Sequence, residues 1–392
     1  VTEQGGTNLD IPGFYHINNV LNQDLASSLD NRMVRSRIVA GFANVDLSYK
    51  DYLFLNATAR VEHSSTIKNS YPYPSVGVSF IPTKAFAALK DNKVLNYAKL
   101  TASYTSVGNA SAVAAYDINP VAVPAVNFPF GTLNSLSYNW YPTNPNIKPE
   151  FVNTKEISAQ LGFFNDRITL EGAYYVADTK NLITNKSAAR TAGQITMRDN
   201  AGDLQNKGFE IDLGVTPVKT NSFKWDMRAS YTHYKTVVKA LAEGVNEVNL
   251  QANTFVGVFA TLGEEFPLIK GTAFVRDANG NVVVDGNGLP QRTSAFQKLG
   301  KATPDYIIGF TNSFEYKGFK LTAVADFRTG HSVYSETKRN LTWSGHLVDS
   351  AENDRYTGYV FPGVTSTGAV NTTPVNGGGY AGTLNFFSGV YD

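Results

Sequence analysis

Five histidines, His16, His63, His233, His331 and His346, are the first residues to test for catalysis or metal binding. None stands in a His-x-x-x-His or Glu-x-x-His pair, the spacing that puts two ligands on one helix face. No Gly-x-Ser-x-Gly elbow is present to present a nucleophilic serine. The chain has no cysteine, so thiolate metal sites, disulfides and a lipid-accepting thiol are excluded. The segment from Asp277 to Gly288 (DANGNVVVDGNG) has the look of a calcium loop. That loop needs a bidentate Glu at its twelfth position, and Gly288 stands there. Asn279-Gly280 and Gly286-Asn287 are read instead as tight turns around a small hairpin. Neither a catalytic residue, a metal site nor a cofactor is expected, and the chain is not read as an enzyme.

Two other groups of residues have chemistry to offer. Tyr138-Asn139-Trp140-Tyr141, Thr342-Trp343 and Asn385-Phe386-Phe387 combine aromatic rings with amides or a hydroxyl. Sugar rings stack their C–H faces on aromatics while amides take the hydroxyls, and peptides use the same groups. Tyr138, Asn139, Trp140, Tyr141, Trp343, Phe386 and Phe387 are therefore the candidates for contact with a substrate or with a covering protein. Loop packing is the plainer alternative for each. The second group is charged: Arg60, Glu62, Glu156, Glu171, Asp212, Asp226, Arg228, Asp326 and Arg328 all recur opposite apolar stripes.

Those stripes have period two, the signature of strands. From Tyr52 to His63, Leu53, Leu55, Ala57, Ala59 and Val61 alternate with Asn56, Thr58, Arg60 and Glu62. Arg37 to Tyr49, Tyr73 to Ile81 and Tyr97 to Val107 alternate likewise. So do Asn153 to Phe164, Arg167 to Asn181, Asn206 to Pro217, Phe223 to Lys235, Tyr306 to Tyr316 and Phe319 to Gly330. The reading is ten strands. Their connections alternate in length. Lys50-Asp51, Asn165-Asp166, Pro217 to Ser222 and Lys317-Gly318 are short, with Pro82 to Asn96 as the exception, holding a short helix around Lys84 to Lys90. Gly108 to Phe151, Leu182 to Gln205, Thr236 to Pro304 and everything after His331 are long.

Short turns at one end and long loops at the other are what an up-and-down membrane barrel needs. No run approaches the ~20 apolar residues of a membrane helix. Charged residues are only 17% of the chain, below the roughly 25% of soluble domains. The formal charge of +1 argues against a nucleic-acid partner. Tyr49, Tyr52, Phe163, Phe164, Phe223 and Tyr316 gather near the short turns, as an interfacial girdle does. The fold class is therefore all-β, an antiparallel transmembrane β-barrel in outer-membrane lipid. In a barrel, the polar faces line the lumen, and Arg60, Glu62, Glu156, Glu171, Asp226, Arg228, Asp326 and Arg328 are the lumen-lining candidates. The segments expected are an extracellular loop over 1–36, strands over 37–107, a loop over 108–150, strands over 151–235, a loop over 236–304, strands over 305–330 and a loop over 331–392.

Several of these pieces resemble the SusC/RagA family of TonB-dependent outer-membrane transporters of Bacteroidetes. Gly5 to Gly13 (GGTNLDIPG), Ser48 to Ser65 (SYKDYLFLNATARVEHSS) and Lys99 to Asn109 (KLTASYTSVGN) are similar to family segments, in family order. So are IKPE, RITLEGAYY and TKNLI within Ile147 to Ile183, Asp203 to Leu213 (DLQNKGFEIDL) and Tyr316 to Gly330 (YKGFKLTAVADFRTG). Val61-Glu62-His63 departs from the family's usual Arg-x-Asp-Gly. The resemblance implies a 22-stranded barrel of which these are ten strands, with a plug domain, a TonB box and closing strands outside the chain. It implies uptake of a nutrient such as an oligosaccharide or peptide beneath a SusD-like lipoprotein lid, energised by the TonB complex through the amino-terminal region. The alternative kept open is a SusC-like barrel that serves as a structural or assembly component of a larger outer-membrane or secretion complex.

Overall fold

Alternation of this kind folds only if neighbouring strands keep their polar residues in step. The computed structural model describes residues 6–9, 20–23, 34–90, 92–119, 122–124, 136–138, 142–187, 196–252, 255–344, 346–347 and 358–375. Strands β1 (Gly6–Leu9) and β2 (Val20–Gln23) pair with each other. The main sheet then begins with β3 (Ile38–Tyr49), β4 (Leu53–Ser64) and β5 (Tyr71–Phe80). Helix α1 (Pro82–Ala85) leads into β6 (Leu95–Asn109). After the small hairpin of β7 (Ala122–Pro124) and β8 (Leu136–Tyr138) come β9 (Glu150–Phe163) and β10 (Ile168–Lys180). A second hairpin, β11 (Ile183–Ser187) with β12 (Thr196–Asn200), precedes β13 (Gly202–Lys219) and β14 (Phe223–Leu241). Four short strands, β15 (Glu247–Ala252), β16 (Val256–Thr261), β17 (Leu268–Gly271) and β18 (Gln297–Lys301), make a separate sheet. The main sheet ends with β19 (Tyr306–Tyr316) and β20 (Phe319–Thr329). Beyond it lie α2 (Glu336–Trp343) and the pair β21 (Tyr359–Val360) and β22 (Pro374–Val375).

The ten long strands are joined in the order β20-β19-β14-β13-β10-β9-β6-β5-β4-β3, all antiparallel, so every main strand bonds the one before it. The sheet is open, with β3 and β20 at its edges. Each tight turn sets an Asp, Asn or Gly, which tolerate left-handed backbone, beside a residue that does not favour it. Lys50 and Asp51 have φ of 48° and 55°, and Lys317 and Gly318 have 45° and 90°. Phe164, Asn165 and Asp166 all lie between 54° and 58°.

Three local details differ from the sequence reading. The helix after β5 is a single turn at Pro82–Ala85, earlier than Lys84 to Lys90, because Pro82 supplies its preset φ at the first position. Pro217 does not start a turn. Strand β13 carries on to Lys219 through a register shift between Val215 and Val218, a bulge that absorbs a residue without an N–H. Strand β14 continues past Lys235 to Leu241.

The packed cores lie in the loops. Ile67, Val113 and Ile147 form one, and Val375 packs with Leu289, Tyr359 and Phe361 in another. Phe259, Leu268 and Ile269 are buried around the four-stranded sheet. The apolar face of the main sheet is covered by nothing among the described residues. Ile157 is 61% and Phe319 81% exposed, and Ile211 and Leu213 are exposed as well. A sandwich would have packed a second sheet there.

Candidate functional site

Register fixes the polar face strand by strand. One row crosses eight strands: Asp46, Asn56, Gly77, Ser103, Glu156, Tyr175, Gly208 and Tyr234, each opposite the next. A second row runs Gln160, Glu171, Asp212, Ser230, Gly309 and Asp326. Because side chains alternate between faces, Arg60, Glu62, Glu156, Glu171, Asp226, Arg228, Asp326 and Arg328 all stand on this one face.

The face brings some of them together. Glu156, Glu171 and Arg228 meet Glu210 and Asp212 around a depression of about 350 Å³. Arg228 Nε lies 2.7 Å from the Asp212 carboxylate. Asp226 borders an adjoining depression of about 250 Å³, where its carboxylate takes the Thr216 hydroxyl at 2.7 Å and Lys224 Nζ at 2.7 Å. Arg60 and Glu62 form their own pair, Nη2 to Oε2 at 2.7 Å, as do Arg328 and Asp326 at 2.8 Å. These neighbours along one strand, two residues apart, neutralise each other locally. Four carboxylates with one guanidinium therefore make the middle of the face acidic.

Glu210 and Tyr175 belong to this site although they are not among the lining residues picked from sequence, and Asp212, which the alternation did put on a polar face, joins them. So does a network on β3 and β4, where Thr58 donates to Asn44 at 2.7 Å and the Asn56 amide reaches Asn44 and Asp46. Face parity was the signal that could have found them. Of the aromatic loop candidates, Tyr138 ends β8 and Trp343 ends α2, each described in its backbone alone. Asn139, Trp140, Tyr141, Phe386 and Phe387 lie outside the described residues.

The described parts of the loops at the other end of the strands are held by hydrogen bonds and ion pairs. The Asp199 carboxylate takes Asn144 Nδ2 at 2.7 Å and the Lys186 ammonium. Burial raises its pKa, and these hydrogen bonds together pull it below the ordinary value. Glu265, in the turn between β16 and β17, accepts from Lys235 and Lys301, both at 2.7 Å. Those bonds hold its carboxyl below the ordinary 4.5. Phe266 N donates to Thr236 O at 2.9 Å beside them, so the turn is docked on the far end of β14. In the Asp277 to Gly288 stretch, Asp277 Oδ1 accepts from the N–H of Asn279 and Asn281, and Asp285 Oδ1 accepts from Asn287 and Leu289. These are side-chain turns that close two small hairpins. No cluster of three metal-ligating side chains occurs among the described residues.

Comparison with known proteins points one way. The family model of the TonB-dependent receptor-like β-barrel matches residues 4–290. TonB-dependent receptor P26 of Formosa agariphila is 28% identical, over 91% of this chain and 38% of its own length. TonB-dependent receptor SusC of Bacteroides thetaiotaomicron is 24% identical, over 85% of this chain and 36% of its own length. The structure of the RagAB peptide transporter superposes with a TM-score of 0.68 at 19% identity, over 87% of this chain and 38% of that chain, a likeness of fold. The chain spans well under half the length of the relatives it matches.

Proposed function

The chain belongs to the TonB-dependent receptor-like β-barrel family, and from that premise we propose that it forms part of the wall of an outer-membrane nutrient transporter. The observation that carries the reading is the division of one uninterrupted sheet into a charged face and an exposed apolar face. Exposed apolar area on this scale is unfavourable in water and is what lipid requires. Strand dimensions agree. The ten steps from Tyr306 to Tyr316 climb ~33 Å along β19, or about 25 Å at the ~40° tilt of a membrane barrel, which matches the apolar band of such barrels. Aromatic rings stand at both ends of that span. Tyr49 and Tyr52 pack edge-on at 5.6 Å near the short turns. Near the loops, Phe209 stacks on Tyr231 at 5.5 Å and Tyr231 on Tyr306 at 6.0 Å.

In this reading the polar face lines a wet lumen, and Arg60, Glu62, Glu156, Glu171, Asp226, Arg228, Asp326 and Arg328 meet the solute on its way through. The folded loops face outward and meet a SusD-like lipoprotein lid, and a segment amino-terminal to the barrel couples to the TonB complex. The solute is an oligosaccharide or peptide. The RagAB relative is a peptide transporter, and a lumen rich in carboxylates, amides and tyrosines offers either class directional hydrogen bonds.

The test uses the full-length protein in its own outer membrane. A lipoprotein should co-purify, and growth on the cognate nutrient should need both this protein and TonB. Co-purification with secretion subunits and TonB-independent growth would instead favour the assembly role. Single cysteines report the faces: Glu171→Cys should react with a water-soluble maleimide, and Ile211→Cys should not. Equal labelling of the two would remove the lumen assignment.

A further inference from the structure

The apolar face of the main sheet is interrupted by cations at one level. Lys155 of β9, Val176 of β10, Lys207 of β13 and Lys235 of β14 stand in a single register row on that face. Lys239 follows at the register shift near the end of β14. Lys207, Lys235 and Lys239 line a depression of about 380 Å³ together with Tyr174 and Phe209. Lysines directly opposite each other in an antiparallel ladder repel. Glu265 offsets Lys235 at 2.7 Å, and Asp178, one row further out, binds the Gln205 amide at 2.8 Å. Among the described residues, no carboxylate pairs with Lys155, Lys207 or Lys239. All three are exposed.

One row toward the short turns, Ile157, Tyr174 and Phe209 stand side by side. They open a second depression, of about 640 Å³, floored by Ala102, Ala159 and Gly172. The small floor residues lie between larger side chains and hollow the sheet's surface. The hollow is apolar and open at the surface.

We propose that the two depressions form one binding site for a phosphorylated, multiply acylated lipid of the outer leaflet. Lys155 and Lys207, on either side of Val176, take one phosphate, Lys239 faces a second further along β14, and an acyl chain lies along the apolar hollow. The inference rests on the membrane-barrel reading above. Charge complementarity selects this occupant: the lysines form a cationic band across β9, β13 and β14 at the edge of an apolar field, beside an aromatic row, where anionic headgroups sit. The hollow continues from that band down the strands toward the hydrocarbon, the path of an acyl chain.

Native mass spectrometry of the full-length protein in detergent, titrated with bis-phosphorylated lipid A, reads the site. The paired substitution Lys155→Gln with Lys207→Gln should weaken binding roughly tenfold or more, and Lys155→Arg with Lys207→Arg should retain it. Dephosphorylated lipid A should bind as weakly to the wild type as the intact lipid binds to the Gln pair. Unchanged binding by the Gln pair, or equal binding of the dephosphorylated lipid, would overturn the proposal. Equal competition by phosphatidylglycerol would overturn the choice of lipid. A bimane on Ile211→Cys, in vesicles of brominated lipid, reports separately whether this face meets acyl chains at all. Loss of that quenching fails the barrel reading; quenching kept with unchanged affinity fails the lipid site alone.

Discussion

Tyr175 lies across Gly208 of the adjacent strand, opposite it in register, so closely that a Cβ on Gly208 would come within 2.6 Å of the Tyr175 hydroxyl oxygen. The same Cβ would meet the backbone carbonyl of His233 at 2.9 Å. The ring covers the gap that the glycine leaves, and the glycine is what lets the ring lie flat on the polar face. Gly208→Val should therefore displace Tyr175 and strain β13 against β14, costing about 1–3 kcal/mol. Thermal unfolding of the full-length barrel checks this. A variant as stable as the wild type would mean that the ring moves aside freely.

Neighbouring residues on one strand should respond oppositely to the same charge. Ile211 faces the apolar side and Glu210 the acidic one. An arginine at a lipid-facing position near the bilayer midplane costs about 2–4 kcal/mol. Ile211→Arg should thus lower the folded fraction in vesicles, and Glu210→Arg should leave it near wild type because Glu171 and Asp212 stand beside it. Equal sensitivity at both positions would contradict a two-sided wall.

Much of this wall was legible in the residues, and the reason is geometric. In β4, Leu53, Leu55 and Ala57 cannot share a face with Asn56, Thr58 and Arg60, so period two leaves one solution. The turns were legible where the backbone needs positive φ, as at Lys50-Asp51 and Lys317-Gly318. Strand β16 was not. Its Val-Gly-Val-Phe-Ala-Thr is buried on both faces, which erases the alternation that marks a strand. The acidic cluster was legible only in part. Glu156 and Glu171 are fifteen positions apart, and only the long-range register that sets Glu171 beside Asp212 gathers them. The aromatic loop candidates depend on loop conformation, for which no periodicity speaks.

The docking of the four-stranded loop on β14 should be sensitive to acid. The folded pKa of Glu265 is depressed below its ordinary 4.5 by the bonds from Lys235 and Lys301. A depressed carboxylate stabilises fully above its unfolded pKa, and that contribution fades as pH falls through the folded value. Hydrogen exchange over residues 247–271 should therefore be pH-independent in local stability above pH ~5 and should accelerate beyond the intrinsic trend in more acidic solution. Glu265→Gln should lose this acid transition. A Glu265→Gln profile that matches the wild type would assign the transition elsewhere.

Ile147 supports the other folded loop. It is 1% exposed and packs with Ile67 and Val113. Nearby, Asn144 donates to Asp199, and Arg198 reaches Asp117 at 2.8 Å. That polar frame connects the loop after β6, the stretch before β9 and the β11–β12 hairpin. Ile147→Ala should cost about 2–5 kcal/mol of local stability, as buried large-to-small changes do. From the ten-stranded sheet only Tyr71, the first residue of β5, packs against that core among the described residues, so the loss should stay largely outside the sheet. Limited proteolysis of intact cells should then cut this loop faster, with the barrel still resistant to unfolding in detergent at room temperature. Collapse of the barrel itself would mean that this loop core is needed to hold the strands together, and no difference in cleavage would mean that the polar frame alone keeps the loop in place.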